Sequence, residues 1–510
     1  MAYTLQRFRW VYCQIETLRR CFPASIRHTL DELPETLDGT YEQTLRGIDK
    51  EKRNYAYRLF QCLVVSKRPL RVEELAELFA IQPNMETIPI FDASLRPENA
   101  EEFVLSACCT LVTVVKNDGQ KIVQFSHFSV REYLTSDRIA ISHHVSSYRV
   151  LPRPAHALLA TACLSVLLQL DDHVDRNEIQ NFPLVFYAAE YWVDHAQFED
   201  VSSEIQRGVE YLFDKDKPHF AAWLWLYNID DPSSFDLASF HPTPPHAVPL
   251  YYAALCGFRD IADHLVDVHP QDVNARGGKS ATPLHAALER GYLDVTKLLL
   301  ERGADIGSRD SQSQTPLHIA SYRGYTEVVS LLIDAGADLN AEGFNRETPL
   351  YSALSKGRQD VARLLLEHRA DVNHPENRGL TPLHHASLHG HNDVVQLLLH
   401  HDADTNRWDN RGLTPLHHAS MGGLNDIIQL LLDHGADPNY RDNRGWTPLH
   451  HASQRGLNDI VQLLLDHGAV TSSENCALTP HHLASLRGNS DIVRLLLDHG
   501  EVANRRDNRG

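Results

Sequence analysis

Residues Thr414 to Asn439 read T-P-L-H-H-A-S-M-G-G-L-N-D-I-I-Q-L-L-L-D-H-G-A-D-P-N, and the second half of the chain repeats that sentence. Thr-Pro pairs begin at Thr282, Thr315, Thr348, Thr381, Thr414, Thr447 and Thr479, in steps of 33, 33, 33, 33, 33 and 32. Val248-Pro249-Leu250-Tyr251 is a degraded eighth copy, 34 residues before Thr282. A unit this short cannot bury its own apolar face, so the period predicts a solenoid of stacked copies.

Each letter of the repeat has a physical task. Threonine caps a helix through its hydroxyl, and proline suits the first helical position. The first helix is predicted from Pro415 to the turn at Gly422-Gly423. The second is predicted over Asn425 to Asp433, with Ile427, Ile428, Leu430, Leu431 and Leu432 serving neighbours on both sides. Gly435 is the expected left-handed cap. This residue pattern resembles the ankyrin repeat, whose T-P-L-H, L-L-L and G-A-D-x-N elements stand in most copies. The resemblance covers residues 248–510, about eight repeats with the first degenerate and the last incomplete.

Composition bounds the remainder. A chain of 510 residues exceeds one core, and two or three domains are expected. With 48 basic against 67 acidic residues, the formal charge of −19 disfavours a nucleic-acid surface. Cys13, Cys21, Cys62, Cys108, Cys109, Cys163, Cys256 and Cys476 show no paired spacing and read as scattered reduced thiols. The N-terminus lacks a signal peptide, and the longest apolar run, Ala157 to Leu170, is too short to span a bilayer. A cytoplasmic location follows as the expectation.

Ahead of the repeats, Phe8, Val11, Tyr12, Ile15 and Leu18 fall at helical spacing, as do Leu30, Leu33 and Leu37. Asp49 is the expected cap of a helix carrying Tyr55, Leu59, Phe60 and Leu63, ended by Arg68-Pro69-Leu70. A short helix follows over Val72 to Ala80. Leu111 to Val115, the turn Asn117-Asp118-Gly119 and Ile122 to Phe125 predict a hairpin, and Ser129 to Leu134 a helix. The expected organisation is mainly α: a helical segment over 1–44, a winged-helix-like domain over 45–150, a helical spacer over 151–231, a Pro/Ser-rich linker over 232–247, and the repeat solenoid. Arg71 to Glu77, the candidate recognition helix, is net acidic and would be repelled by phosphate. Phe182, Phe186, Tyr187, Tyr191, Trp192, Trp223 and Trp225 of the spacer read as core.

Four stretches carry a second resemblance: F-R-W-V-Y-C-Q-I-E-T-L-R-R-C (8–21), L-P-E-T-L-D-G-T-Y (33–41), R-P-L-R-V-E-E-L-A-E (68–77) and F-S-H-F-S-V-R-E-Y-L (125–134). In this order they look like the segment after the NTPase core of fungal NACHT-type STAND receptors, which are similar to animal NOD-like receptors. The resemblance implies that His127 contacts an ADP phosphate. The residues alone also allow a histidine packed between Phe125 and Phe128. No Walker A loop is present, since the nearest match, Gly278-Lys279-Ser280, has Val273 where the first glycine belongs. The chain therefore reads as the back half of a receptor, either a truncated gene product or an engine-less paralogue. The end at Gly510, short of a capping repeat, agrees with truncation.

The repeat's departures matter too. The second cap is Gly303, Gly336, Gly435, Gly468 and Gly500 in five copies but Arg369 and Asp402 in two, which predicts a weak point between Thr348 and Asp404. The 32-residue step leaves Cys476-Ala477 in place of Arg-Gly, and predicts an irregular loop before Thr479. Of the pairs His384-His385, His417-His418, His450-His451 and His481-His482, the first histidine is assigned to the motif. The second replaces the usual leucine and is expected to soften the stack in acid. Neighbours on a helix diverge by about 100°, and no i, i+4 pairing is evident, so no metal site is expected.

No catalytic constellation appears, so binding without catalysis or cofactor is the expected function. By the ankyrin resemblance, partners meet loop tips and first helices. Those positions are Tyr322, Arg323, Phe344, Lys356, Leu388, His389, Trp408, Met421, Trp446, Gln454 and Arg455, with Trp408 and Trp446 as anchors or as covers for adjacent loops. The reading is an intracellular scaffold, the ligand-recognition half of a receptor, that binds protein and neither nucleic acid nor membrane. Two alternatives are a switch in which His127 completes an ADP site on a separate NTPase in trans, and a fragment without function.

Overall fold

The computed structural model describes residues 36–82, 89–171, 173–175, 177–199, 201–230, 245–471 and 478–500. The expectations for residues 1–35, for the linker prolines before Pro245, for Cys476-Ala477 and for the last ten residues lie outside them. The chain divides into two compact units, Met1–Lys279 and Ser280–Gly510.

The first unit opens with helices α1 (Leu37–Arg46) and α2 (Arg53–Val65), strand β1 (Leu70–Arg71) and helix α3 (Val72–Glu77). Next come β2 (Ile81–Gln82), β3 (Ile90–Phe91), α4 (Ala100–Cys108), β4 (Val112–Asn117), β5 (Gln120–Phe125), α5 (Phe128–Thr135) and α6 (Asp137–Ile141). The predicted hairpin is present, turned by Asp118 and Gly119 at φ 46° and 81°. Its sheet has a third strand that the sequence reading missed: β1 pairs antiparallel with β5, Leu70 opposite Val123, in the order β1-β5-β4. The Arg68-Pro69-Leu70 break thus leads straight into a strand.

One further expectation is corrected here. Asp49 does not cap α2, because a 3₁₀ turn over Lys50–Lys52 intervenes and Asp49 makes no side-chain cap bond. In the acidic helix only Glu73 faces solvent. Glu74 and Glu77 are buried. Arg68 donates to Glu74 at 2.7 and 2.9 Å and Arg71 at 2.9 Å, while Arg96 pairs with Glu77. Fully desolvated carboxylates are tolerated because guanidinium forks satisfy them.

The helical stretch follows: α7 (Pro152–Leu167), α8 (Val185–Ala196), α9 (Val201–Glu204), α10 (Gln206–Leu212) and α11 (His219–Leu226). The run from Ala157 is a buried helix, as its apolarity requires. Trp192 and Trp223 form an edge-to-face pair at 5.3 Å in the core, whereas Phe186 is exposed. The degraded copy supplies α12 (Pro249–Cys256) and α13 (Arg259–Val268) to this first unit. Its Phe258 stacks on Trp192 at 5.3 Å, and its Tyr251 hydroxyl, at the motif's histidine position, donates to Asp230 at 2.7 Å.

Among the described residues the second unit comprises seven helix pairs. They are α14 (Pro283–Arg290) and α15 (Leu293–Glu301), α16 (Pro316–Arg323) and α17 (Thr326–Asp334), α18 (Pro349–Ser355) and α19 (Gln359–Glu367), α20 (Pro382–His389) and α21 (Asn392–His400). The last three are α22 (Pro415–Gly422) and α23 (Asn425–Asp433), α24 (Pro448–Arg455) and α25 (Asn458–Asp466), α26 (Pro480–Leu486) and α27 (Ser490–Asp498). First helices stack on first helices and second on second, which buries Leu416, Ile427, Ile428 and Leu431 of the quoted repeat completely.

Candidate protein-binding groove

In every repeat of the second unit but the one at Thr348, which has Tyr351, the threonine and the histidine three residues later lock one another. Thr414 N–H donates to His417 Nδ1 at 3.1 Å, and the Thr414 hydroxyl lies 2.8 Å from the same nitrogen. Nδ1 is therefore an acceptor, and the ring proton sits on Nε2. That proton reaches the next repeat: His417 Nε2 donates to the Trp446 carbonyl at 3.2 Å, His384 to Leu413 at 3.0 Å and His318 to Glu347 at 2.9 Å. Burial holds His384, His417 and His450 down to about 4. The motif histidine is a neutral staple between copies. In the last copy the first histidine of the pair, His481, stands at the leucine position, so the assignment of the first histidine to the motif is corrected there: His482, three residues after Thr479, takes the capping position.

The second histidines of the other pairs diverge. His418 Nε2 lies 3.2 Å from Asp409, and His451 Nε2 lies 3.0 Å from Asp442. Each aspartate also accepts two backbone N–H groups of its own loop, from Arg411 and Leu413 at 2.8 and 2.9 Å, and from Arg444 and Trp446 at 2.8 and 2.9 Å. Burial opposes the charge of Asp409, but His418 and these N–H groups hold its carboxyl below the usual range. His385 instead packs against Tyr351 and His389, the latter at 4.4 Å. The i, i+4 pairing thought absent is therefore present at His385 and His389. Among the described residues no group of three or more His, Cys, Asp or Glu side chains could hold a metal ion.

These aspartates shape the loop tips. Asn410 N–H donates to the Arg378 carbonyl and Asn443 N–H to the Arg411 carbonyl, both at 3.0 Å. Their side-chain amides donate to Asn377 and Asn410 carbonyls at 3.0 and 3.1 Å. A ladder of asparagines thus ties successive tips. Between tips and first helices run two cavities, of about 510 and 410 Å³, that share Asn410, Arg411, Met421 and Arg455. Leu388 lines the first cavity, and Trp446 and Gln454 line the second.

Five sequence-predicted positions, Leu388, Met421, Trp446, Gln454 and Arg455, are therefore brought together in one groove. The others lie apart from those cavities. Tyr322 carries Lys356 Nζ 4.7 Å above its ring, Arg323 and His389 are exposed, and Phe344 is 74% exposed. The two tryptophans separate. Trp408 is 59% exposed and stacks on Tyr440 at 5.8 Å. Trp446 is half-buried against His450 and His451, so it covers its own repeat rather than standing exposed. Arg378, Arg411 and Arg444 were missed by the sequence reading. Their signal was the [D/E]-N-R-G tetrad ending two residues before Thr381, Thr414 and Thr447.

His127 lies in the first unit, half-buried at the N-cap of α5. Its Nδ1 sits 2.5 Å from the Ser129 hydroxyl and accepts from Ser129 N–H at 3.3 Å, and its ring lies 4.2 Å from Phe128. The Ser129 hydroxyl also meets Tyr41 at 2.7 Å.

Comparison with known proteins agrees with the repeat geometry. Models of ankyrin repeats match residues 271–333, 306–376, 340–409, 370–442 and 416–507. The second unit is thus an ankyrin-repeat α-solenoid in a mainly α chain, the architecture of a protein–protein interaction module. Among curated relatives, the azaphilone pigments biosynthesis cluster protein L of Monascus ruber is 31% identical over 292 residues, 54% of this chain and 61% of that protein. Alpha-latrocrustotoxin-Lt1a of Latrodectus tredecimguttatus is 47% identical over 57 residues, 11% of this chain and 4% of the toxin. This chain therefore spans under two thirds of the first relative and a small part of the second. Among solved structures, the ankyrin repeat domain of Bcl-3 is 30% identical with a TM-score of 0.39, covering 40% of this chain and 94% of that one.

Proposed function

We propose that the chain works by binding, not catalysis, and that its protein partner enters the groove between loop tips and first helices over Leu388, Met421 and Arg455. The observation that carries this reading is the pair of adjoining cavities lined by Leu388, Met421, Trp446, Gln454 and Arg455. Half-exposed apolar side chains ringed by polar tips have the composition of an interaction site. We further read residues 45–150 as winged-helix-like and the whole as the recognition half of a STAND-type receptor at work in the cytoplasm. The β1-β5-β4 sheet against α2 supports the first of these. No helix among the described residues is long and apolar enough to cross a membrane.

The test is affinity capture with the full chain beside Leu388→Asp/Met421→Asp. A protein held by the wild type should be lost from the double variant, whose melting temperature stays within a few degrees because both side chains are partly exposed. Equal capture by both would refute the groove.

A further inference from the structure

We propose that this groove takes an extended acidic segment whose carboxylates recur at every third residue; the inference rests on the protein-binding reading above and names the chemistry of the partner. Arg378, Arg411 and Arg444 stand at identical positions of three consecutive repeats, 33 residues apart, and all three are exposed. Among the described residues, no side-chain hydrogen bond or ion pair engages them; Arg444 only lies 6.0 Å from the Trp446 ring centre. Arg455, likewise free of ion pairs and exposed, lines both cavities from the end of α24.

The carboxylates that line the cavities are already taken. Asp409 and Asp442, the carboxylates lining the cavities, are buried at 5% and 7% exposure, and each is saturated by a histidine and two backbone N–H groups. The groove thus presents four unopposed guanidinium groups in a chain whose formal charge is −19. Such a reversal of sign attracts an anionic partner and orients it before contact.

Spacing decides what kind of anion fits. Packed helices lie about 8–10 Å apart, so the arginine row advances by about that distance per repeat. The asparagine ladder fixes the row, because the Arg378 and Arg411 carbonyls are held by the next tip. A polyproline II segment rises about 3.1 Å per residue, so every third side chain recurs on one face after about 9.3 Å. Carboxylates at that period meet successive arginines as forked pairs. The intervening side chains face Leu388 and Met421, apolar surface that a nucleic-acid backbone would leave unused.

The experiment uses the full chain and fluorescein-labelled synthetic peptides. One repeats the triplet Glu-Pro-Leu four times, the second has the same composition with its glutamates in one block, and the third carries Lys for Glu. At about 150 mM salt, where charges are screened beyond about 8 Å, the triplet peptide should bind at least about tenfold tighter than the blocked one. The lysine peptide should not bind. Arg411→Glu should weaken the triplet peptide about tenfold or more and Arg411→Gln by less; should either variant fail to fold, Arg455→Glu supplies the same measurement.

Equal affinity for triplet and blocked peptides, indifference to Arg411→Glu, or displacement by a single-stranded oligonucleotide of equal charge would each overturn the proposal. Loss of a captured protein on Leu388→Asp/Met421→Asp, with no triplet peptide bound by the wild type, would overturn it and leave the protein-binding reading standing. Peptide binding and capture both unmoved by that double variant would overturn the two together.

Discussion

At the scale of single residues, backbone handedness sets the local cost of each copy. Arg369 and Asp402 do adopt the left-handed conformation demanded by their place, at φ 67° and 60°, where Gly303, Gly336 and Gly435 sit at 83–85°. A residue with a Cβ strains there by about 1 kcal/mol. Arg369→Gly/Asp402→Gly should therefore stabilise the protein by about 2 kcal/mol, raising the melting temperature by about 4–8 °C for a unit of this size. An unchanged thermal midpoint would refute the assignment. Two further residues share the strain: Ser313 and Arg346, at φ 59° and 63°, stand two before their threonines, where Gly379, Gly412 and Gly445 stand in later copies. The weak stretch is thus wider than the second-cap substitutions alone suggest.

At the scale of the loop element, glycine does two different things in one repeat. Gly435 is left-handed with open space around the position of a Cβ, so Gly435→Ala should cost about 1 kcal/mol from strain alone. Gly412 is left-handed too, but a Cβ there would meet Asn443 N at 2.7 Å and its Oδ1 at 2.6 Å. Asn443 cannot retreat without breaking its bond to Arg411, so Gly412→Ala should cost about 3 kcal/mol or more. Chemical denaturation of the two variants side by side checks the contrast. Equal midpoints would show that the ladder contributes nothing. The element was half legible in sequence: its glycine is plain at Gly412, but the partner that makes it necessary lies 31 residues on, across a repeat boundary.

At the scale of the whole array, the buried histidines make the stack sensitive to acid. His384, His385, His417 and His450 are all held down to about 4 by burial, against about 6.5 in an unfolded chain. Above pH 6.5 both states are neutral and the stability is intact. Below it the unfolded chain takes up protons that the fold refuses, so stability falls as pH drops from 6.5 toward 4, by roughly 2 kcal/mol per histidine at pH 5. His385 separates this effect from capping, because it is paired with no threonine and is instead crowded by Tyr351, His389 and His391. His385→Leu should leave melting at pH 8 nearly unchanged and lose visibly less at pH 5 than the wild type. Parallel acid losses in both proteins would sink that account.

The period of 33, the threonine and glycine caps and the apolar second helices determined the solenoid before any coordinates, because such preferences are local and repeat in phase. Helix bounds such as Asn425–Asp433 followed from the same local rules. Contacts between copies or between distant segments were decided by the tertiary structure. It set β1 beside β5 across fifty residues, turned Glu74 and Glu77 inward, and separated the exposed Trp408 from the half-buried Trp446. It also consumed Asp409 and Asp442 while leaving Arg378, Arg411 and Arg444 free. The D-N-R-G letters carry equal and opposite charges in one dimension. Only folding, by burying the carboxylate on a histidine and its own loop amides, decides which sign the groove shows.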